Sequence, residues 1–406
     1  MKRHYIGLDV LRGIGIFSVV VLHTAFYYFD GIYDLDLSNP PIIITLIGFI
    51  LMFAGLFAMI SGFVHTLQTY RKVEEKSYTY KDTMTYALWA GVFVLVVAYL
   101  YFLVTGPGII DFDSRSMDQS ILVELINSGR FVWPSLERIL YVDSLVMIGL
   151  NIILLQVILI IGMKWFTSHK RQTWFLYGAA LVVLLISLAR IPLYNIYLDA
   201  RDNEQYLLVL LLNWIANKNN PILPFLSFAL YGGWMMRMIA DHDKRTIRRI
   251  VIPNAIAYIV VGLVIYLTAE ETMLERAIDY TWYGIMVFQI GLFELLILLF
   301  LRWYQTDRMQ WHSKFFYRFG VAGLTIFFLE QLVSSAFKRV LIAMNPDLFL
   351  GIPISIVLGL VLAVLYGVFL IWWQRHDYRY GLEHAYVTWM KRLGGSEKAV
   401  KLKADE

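Results

Sequence analysis

The sequence alternates between long apolar runs and short polar segments. Ten apolar runs approach or exceed the roughly 20 residues that an α-helix needs to cross the hydrocarbon core of a bilayer. They cover residues 8–29, 41–66, 84–104, 141–163, 173–193, 222–239, 250–268, 281–301, 319–340 and 352–373. This pattern predicts an all-α, polytopic integral membrane protein with about ten transmembrane helices.

The basic residues are distributed unevenly between alternate loops. If residue 1 lies on the cytoplasmic side, most of the 35 Lys and Arg residues fall in cytoplasmic segments. Because such loops of membrane proteins are enriched in Lys and Arg, we expect both termini in the cytoplasm and a multi-pass protein of the inner cell membrane. We expect residues 1–375 to form one transmembrane domain and residues 376–406 a cytoplasmic tail, solvated from Lys391 onward.

The composition supports this assignment and narrows the possible chemistry. The chain is 59% hydrophobic and 16% charged, whereas soluble domains are about 45–50% apolar and about 25% charged. It contains no cysteine, so disulfides and thiolate metal sites are excluded. The histidines show no metal-ligand spacing on one helix, and we expect no metal. The net charge of +4 follows from membrane orientation, and we expect no nucleic-acid partner.

A few ionisable side chains lie inside the predicted helices. A charge at the bilayer centre costs about 3 kcal/mol or more, so each such residue is a candidate for function. The candidates are Asp9, Arg12 and His23 in the first helix, Asp143 in the fourth, Glu294 in the eighth and Glu330 in the ninth. Arg190 falls near a predicted helix end, where we expect its charge to extend to the membrane surface.

The first helix places three of these side chains in one stripe. Arg12 and His23 are eleven residues apart, which is three helical turns plus about 20°, so both project from one face about 16 Å apart. Asp9 precedes Arg12 by three residues and lies on nearly the same face. The stripe would present a carboxylate and a guanidinium near the cytoplasm and an imidazole in the outer half of the bilayer.

This stripe suits group transfer across the membrane. The forked, permanently charged Arg12 could hold an anionic donor that enters from the cytosol. A neutral His23 inside the protein could take a proton from an acceptor hydroxyl. The structural alternative is an ion pair between Asp9 and Arg12 that orients the helix, with His23 as a packing residue between helices.

The residues around this stripe resemble a known signature. Residues 6–13 (IGLDVLRG), followed by His23, are similar to the opening motif of acyltransferase family three, and residues 56–63 (LFAMISGF) to its second motif, with Leu56 replacing an aromatic residue. Residues 222–233, 318–331 and 380–383 resemble the sister group of membrane acetyltransferases related to heparan-α-glucosaminide N-acetyltransferase. In the last stretch, a proline common in that group is absent.

The resemblance implies an enzyme that moves an acyl group, usually acetyl, from cytosolic acyl-CoA to a hydroxyl or amine of a surface glycan or lipid-linked acceptor. His23 would be the catalytic base or a transient acyl carrier. Arg12, oriented by Asp9, would hold the donor. Ser61 and Gly62, near the cytoplasmic end of the second helix, would line the donor channel. We further expect Glu330, which lies in one of the similar stretches, and Asp143 to contact the acceptor.

A second functional class is compatible with the same residues. Intramembrane Asp, Glu and His side chains can form a proton relay, so a secondary transporter or lipid flippase is the alternative prediction. Against it, the two halves of the chain show no evident repeat of the kind found in many transporters.

Overall fold

The structure is a computed structural model that describes residues 4–36, 40–75, 78–112, 114–217, 219–269, 278–304 and 310–393. These residues are almost entirely helical. The first half contains α1 (Ile6–Tyr27), α2 (Ile42–Leu51), α3 (Ala54–Glu74), α4 (Tyr80–Val104), α5 (Ile121–Ser128), α6 (Leu136–Ile139), α7 (Ser144–Trp165) and α8 (His169–Ile186). The second half contains α9 (Arg190–Asp202), α10 (Tyr206–Ala216), α11 (Ile222–Asp241), α12 (Lys244–Thr268), α13 (Tyr280–Trp303), α14 (Trp311–Val321), α15 (Gly323–Met344), α16 (Ile352–Gln374) and α17 (Leu382–Leu393).

The helices confirm an all-α polytopic membrane protein. Within the described ranges, nine helical spans are long and apolar enough to cross a bilayer, or ten when the bent pair α14 and α15 is counted. Both ends of the described chain lie at one end of the bundle. The His4 ring contacts Tyr317 of α14, and Arg318 of the same helix donates to Gln374 at the end of α16. Two chain ends on the same side of a helical bundle require an even number of membrane crossings.

The predicted helix 319–340 is wrong at its start, because the chain bends by 82° between α14 and α15. In a continuous helix the Leu324 N–H would donate to the Gly320 carbonyl. Instead, Gly320 accepts from Arg12 Nε at 3.0 Å, and Leu324 donates to Glu383 of the tail at 2.7 Å. Outside partners therefore satisfy both backbone groups that the bend separates.

Close crossings of helix backbones hold the bundle together. A Cβ built on Gly13 of α1 would overlap the Phe316 carbonyl of α14. A Cβ on Gly62 of α3 would likewise overlap the Ala229 carbonyl of α11. Packing through small residues is the usual way in which helices associate in lipid, because the hydrophobic effect gives apolar helix surfaces no driving force to leave the lipid for each other.

Buried arginines lie in two segments between the long helices, one after α4 and one after α8. The loop after α4 contains a short hairpin, β1 (Ile109–Asp111) and β2 (Ser116–Asp118). The Arg138 side chain is fully buried and donates to the carbonyls of Phe102 and Pro107. Arg190 stacks over Trp282 with 4.1 Å between guanidinium and ring centroid. It is only 2% exposed, so the prediction that its charge extends to the membrane surface is wrong.

The tail begins as a docked helix. Trp389 of α17 donates to the Trp89 carbonyl of α4 at 3.1 Å, and Met390 is buried. Lys391 to Leu393 continue this helix and are exposed. The remainder of the segment expected to be solvated, residues 394–406, lies outside the described residues.

Candidate functional site

The centre of the site is a pair formed by His23 of α1 and Glu330 of α15. Nδ1 of His23 lies 2.5 Å from Oε1 of Glu330. The Glu330 side chain is 0% exposed and that of His23 is 17% exposed. A buried carboxylate requires a partner, and an imidazole that donates through Nδ1 keeps the lone pair on Nε2. The pair therefore orients the ring and leaves Nε2 available for chemistry.

Aromatic side chains surround this pair. The His23 ring contacts Tyr27 and Phe327 with centroid distances of 5.8 and 6.2 Å. The hydroxyl of Tyr101, at the outer end of α4, lies 3.4 Å from Glu330 Oε1. Sequence analysis did not identify Tyr101, because its position in an apolar helix carries no motif. This apolar wall lowers the local dielectric, which strengthens the interaction between His23 and Glu330.

Asp143 lies at the edge of the same region. It is the N-cap of α7, and its Oδ1 accepts from the Leu145 and Val146 N–H groups at 3.0 Å each. The adjacent Val142 belongs to the same apolar cluster as Tyr101, against which Phe327 packs. Oδ2 is buried without a hydrogen-bond partner among the described residues. Capping explains one oxygen of this carboxylate and leaves the second for a ligand.

Hydrogen bonds between polar side chains next to the His23–Glu330 pair join α1 to α15. The hydroxyls of Thr24 and Ser334 lie 2.9 Å apart, and Tyr28 hydrogen-bonds to Ser335. Sequence analysis missed these residues. The four-residue spacing from Glu330 to Ser334 was the available signal, since it places two polar side chains on one face of an apolar helix.

The charged cluster in the first turns of α1 is built around Asp9. Arg12 Nη2 donates to Asp9 Oδ1 at 2.8 Å, and His4 Nε2 lies 2.5 Å from Asp9 Oδ2. The hydrogen bond with Asp9 raises the pKa of His4 above its ordinary 6.5. The Arg12 side chain remains 35% exposed although it also binds Gly320. The predicted ion pair between Asp9 and Arg12 is therefore present. His4 is a second basic partner of the same carboxylate.

Ser61 and Gly62 occupy a different position from the one expected. Helix α3 continues to Glu74, thirteen residues past Ser61, so this dipeptide lies within the helix and not near its C-terminal end. The expected end of the helix, residue 66, was too early. The apolar run stops there, but the helix continues through polar residues, with Arg71 and Lys72 in its last turn. Gly62 packs against Ala229 of α11. The role of both residues in donor binding stays a prediction.

Glu294 belongs to a separate network. Both of its carboxylate oxygens accept from Asn254 Nδ2 at 3.0 Å, and Asn254 accepts from the Tyr177 hydroxyl at 2.8 Å. The side chain is 0% exposed. In the part of the chain that the structure describes, no group of three His, Asp or Glu residues has a metal-binding arrangement.

Helix α1 carries two groups suited to chemistry, one in each half of the helix. The N-terminal part of α1 presents the Arg12 guanidinium, and its C-terminal part presents the His23 imidazole paired with a buried carboxylate. A protein-family model described as heparan-alpha-glucosaminide N-acetyltransferase, catalytic, matches residues 4–271, which is more than half of the chain. A comparison with curated proteins gave no match. The matched range contains Asp9, Arg12 and His23.

Proposed function

Because the chain belongs to the heparan-α-glucosaminide N-acetyltransferase catalytic family and is therefore a membrane acetyltransferase, we propose that it moves an acetyl group from cytosolic acetyl-CoA to a hydroxyl or amine of a surface glycan or lipid-linked acceptor. We place this reaction in the inner cell membrane. The observation that carries the proposal is the contact of the buried Glu330 with His23, which orients an imidazole on the helix that also bears Arg12.

In the proposed reaction, the acceptor oxygen or nitrogen attacks the thioester carbonyl while His23 Nε2 takes its proton. The tetrahedral intermediate then breaks its carbon–sulfur bond, and the imidazolium returns the proton to the sulfur. CoA leaves as a thiol, and the acetyl group remains as an ester or amide. Glu330 stabilises the imidazolium and holds the ring, in the way that a carboxylate supports a catalytic histidine.

Sequence analysis predicted acceptor contact for Glu330. Its full burial and its bond to His23 support a positioning role instead. We assign acceptor contact to Asp143, whose Oδ2 is buried without a hydrogen-bond partner among the described residues, as Glu330 Oε2 also is. The hydroxyl of Tyr101 is the second polar group at this end.

Arg12 is the proposed docking point for the anionic part of acetyl-CoA, and Asp9 keeps its guanidinium in place. About 16 Å of helix separates Arg12 from His23, a gap that the long, thin pantetheine arm of CoA can bridge. Ser61 and Gly62 of α3 remain proposed lining residues of this route. The similarity of residues 6–13 and 56–63 to acyltransferase family three motifs supports the same donor end.

The experiment uses purified full-length protein and acetyl-CoA radiolabelled in its acetyl group. Release of CoA and transfer of label are compared among wild type, His23→Ala and Arg12→Ala. The matched control is His65→Ala, which removes another histidine from inside a transmembrane helix, α3. We expect loss of turnover in the first two variants alone. Absence of donor binding and turnover in the wild type would overturn the proposal.

A transporter remains the rival function. Its relay would require the intramembrane acids to act together. Glu294, however, has its hydrogen bonds with Asn254 of α12, whereas Glu330 is bonded to His23. Counterflow of a solute in liposomes, unaffected by CoA, would favour transport.

A further inference from the structure

A cavity of about 740 Å³ opens at the cytoplasmic end of the bundle, outside the site described above. The end of α11, the beginning of α12, the end of α13 and the beginning of α1 form its walls. The positive-inside distribution of Lys and Arg places these segments at the cytoplasmic leaflet. The cavity therefore lies where lipid headgroups meet the hydrocarbon core.

The cavity is on the opposite side of α1 from the Arg12 cluster. Gly7, which lines the cavity, faces α13, because a Cβ built on it would lie 2.5 Å from the Phe300 carbonyl. Asp9 faces α14, whose Gly320 packs against the Asp9 carbonyl. Residues two apart on a helix are separated by about 200°. The proposed donor position and the cavity are thus different sites.

The lining is complementary to an anionic amphiphile, because it combines cationic and apolar side chains. Its rim contains the cations Lys244, Arg248 and Arg302 and a single carboxylate, Asp243. That carboxylate is the N-cap of α12, where hydrogen bonds from the Thr246 hydroxyl and from the Thr246 N–H, the latter at 3.1 Å, lower its pKa. Among the described residues, the rim carries three cationic side chains and one carboxylate.

The deeper walls are apolar and reach the lipid-facing surface. They are formed by Ile252 of α12 and by Leu295, Leu298 and Leu299 of α13, and Leu299 is 38% exposed. Helix α12 is the least buried of the spans that the structure describes, with 22% of its most apolar window buried inside the protein. An acyl chain can enter such a cleft sideways from the bilayer.

His242 adds a polar group at the junction of rim and wall. Its Nδ1 is buried and has no hydrogen-bond partner among the described residues. A buried polar atom without a partner is costly, and a phosphate oxygen or glycerol hydroxyl of a ligand would satisfy it.

We propose that this cavity binds an anionic phospholipid of the cytoplasmic leaflet. The phosphate lies among Lys244, Arg248 and Arg302, and one acyl chain lies along the leucines of α13. Juxtamembrane cations attract anionic lipids, and the apolar walls select an amphiphile over a soluble phosphate. The inference is independent of the proposed acetyl transfer.

The test is native mass spectrometry of the full-length protein, delipidated in detergent and then titrated with phosphatidylglycerol or phosphatidylcholine of identical chains. The variant Arg248→Gln/Arg302→Gln removes two rim charges. Arg245→Gln/Arg249→Gln is the matched control, since both of its arginines are exposed residues of α12 that do not line the cavity.

We expect wild type and control to retain phosphatidylglycerol over phosphatidylcholine, and the rim variant to bind phosphatidylglycerol about thirtyfold more weakly. Equal retention of the two lipids by wild type would overturn the proposal. So would equal losses in the rim variant and the control. A third arm adds CoA: displacement of the bound lipid by CoA would assign the cavity to a soluble phosphate ligand and overturn the lipid assignment.

Discussion

Nδ1 of His23 on α1 lies 2.5 Å from Oε1 of Glu330 on α15, although 307 residues separate them in the chain. The carboxylate is fully buried, whereas the ring keeps part of its surface accessible. In the proposed mechanism, this relationship makes a histidine of an apolar helix an oriented base. It also links the first helix of the bundle to the helix that follows the 82° bend.

The contribution of Arg12 to donor binding should depend on the shape of its guanidinium as well as on its charge. Arg12→Lys keeps the charge but loses the forked contacts to Asp9 and Gly320. We expect the KM for acetyl-CoA to rise about tenfold, with a smaller change in kcat, because the lost interaction serves binding more than chemistry. Steady-state kinetics with varied acetyl-CoA measures this, and an unchanged KM would remove Arg12 from the donor site.

Donor binding should weaken as pH rises. Since the pKa of His4 is raised by Asp9, the imidazolium is fully present below pH 6.5 and is lost as pH rises through the shifted value. Above that pH the cluster of His4, Asp9 and Arg12 has lost one positive charge, so it attracts the anionic donor less strongly. We expect His4→Gln to flatten the pH dependence of CoA affinity between pH 6 and 8.5, measured by calorimetry. A wild-type affinity that is constant over this range would contradict the role of His4.

The crossing of α3 and α11 should tolerate no side chain at Gly62. In Gly62→Ala the new methyl group would overlap the Ala229 carbonyl, and overpacking costs about 1–3 kcal/mol. Gly178→Ala in α8 is the matched control, because a Cβ there meets nothing within 4 Å. Unfolding in mixed micelles of detergent and dodecyl sulfate should show destabilisation for Gly62→Ala alone. Equal stability of the two variants would show that the crossing relaxes.

The tail should stabilise the beginning of α15. This helix has no side-chain cap from its own N-cap residue, Ala322, and Glu383 instead accepts from the N–H groups of Leu324 and Thr325. We expect Glu383→Ala to lower the free energy of unfolding by about 0.5–2 kcal/mol, as the loss of a cap does. The neighbouring exposed His384→Ala is the control, and the same unfolding assay compares them. A null result for Glu383 would mean that the bend persists without the tail.

The sequence predicted the membrane class and the number of spans because both follow from the length of apolar runs. It also identified Asp9 and Arg12 as a pair, since three residues on a helix bring side chains together. The partnership of His23 with Glu330 was beyond it, because no local periodicity encodes a contact across 307 positions. The bend at Ala322 was missed for a similar reason: its stabilising partners, Arg12 and Glu383, come from distant segments.

The most direct test of the central claim is the rate of acetyl transfer in Glu330→Gln. Gln preserves the shape of Glu330 but cannot stabilise the His23 imidazolium, so we expect the rate to fall by about 10²- to 10⁴-fold, with binding of acetyl-CoA unchanged. The matched control is Glu294→Gln, which alters another fully buried glutamate outside the site. It should keep nearly the wild-type rate. A Glu330→Gln protein that transfers acetyl groups as fast as the Glu294→Gln control would contradict the account.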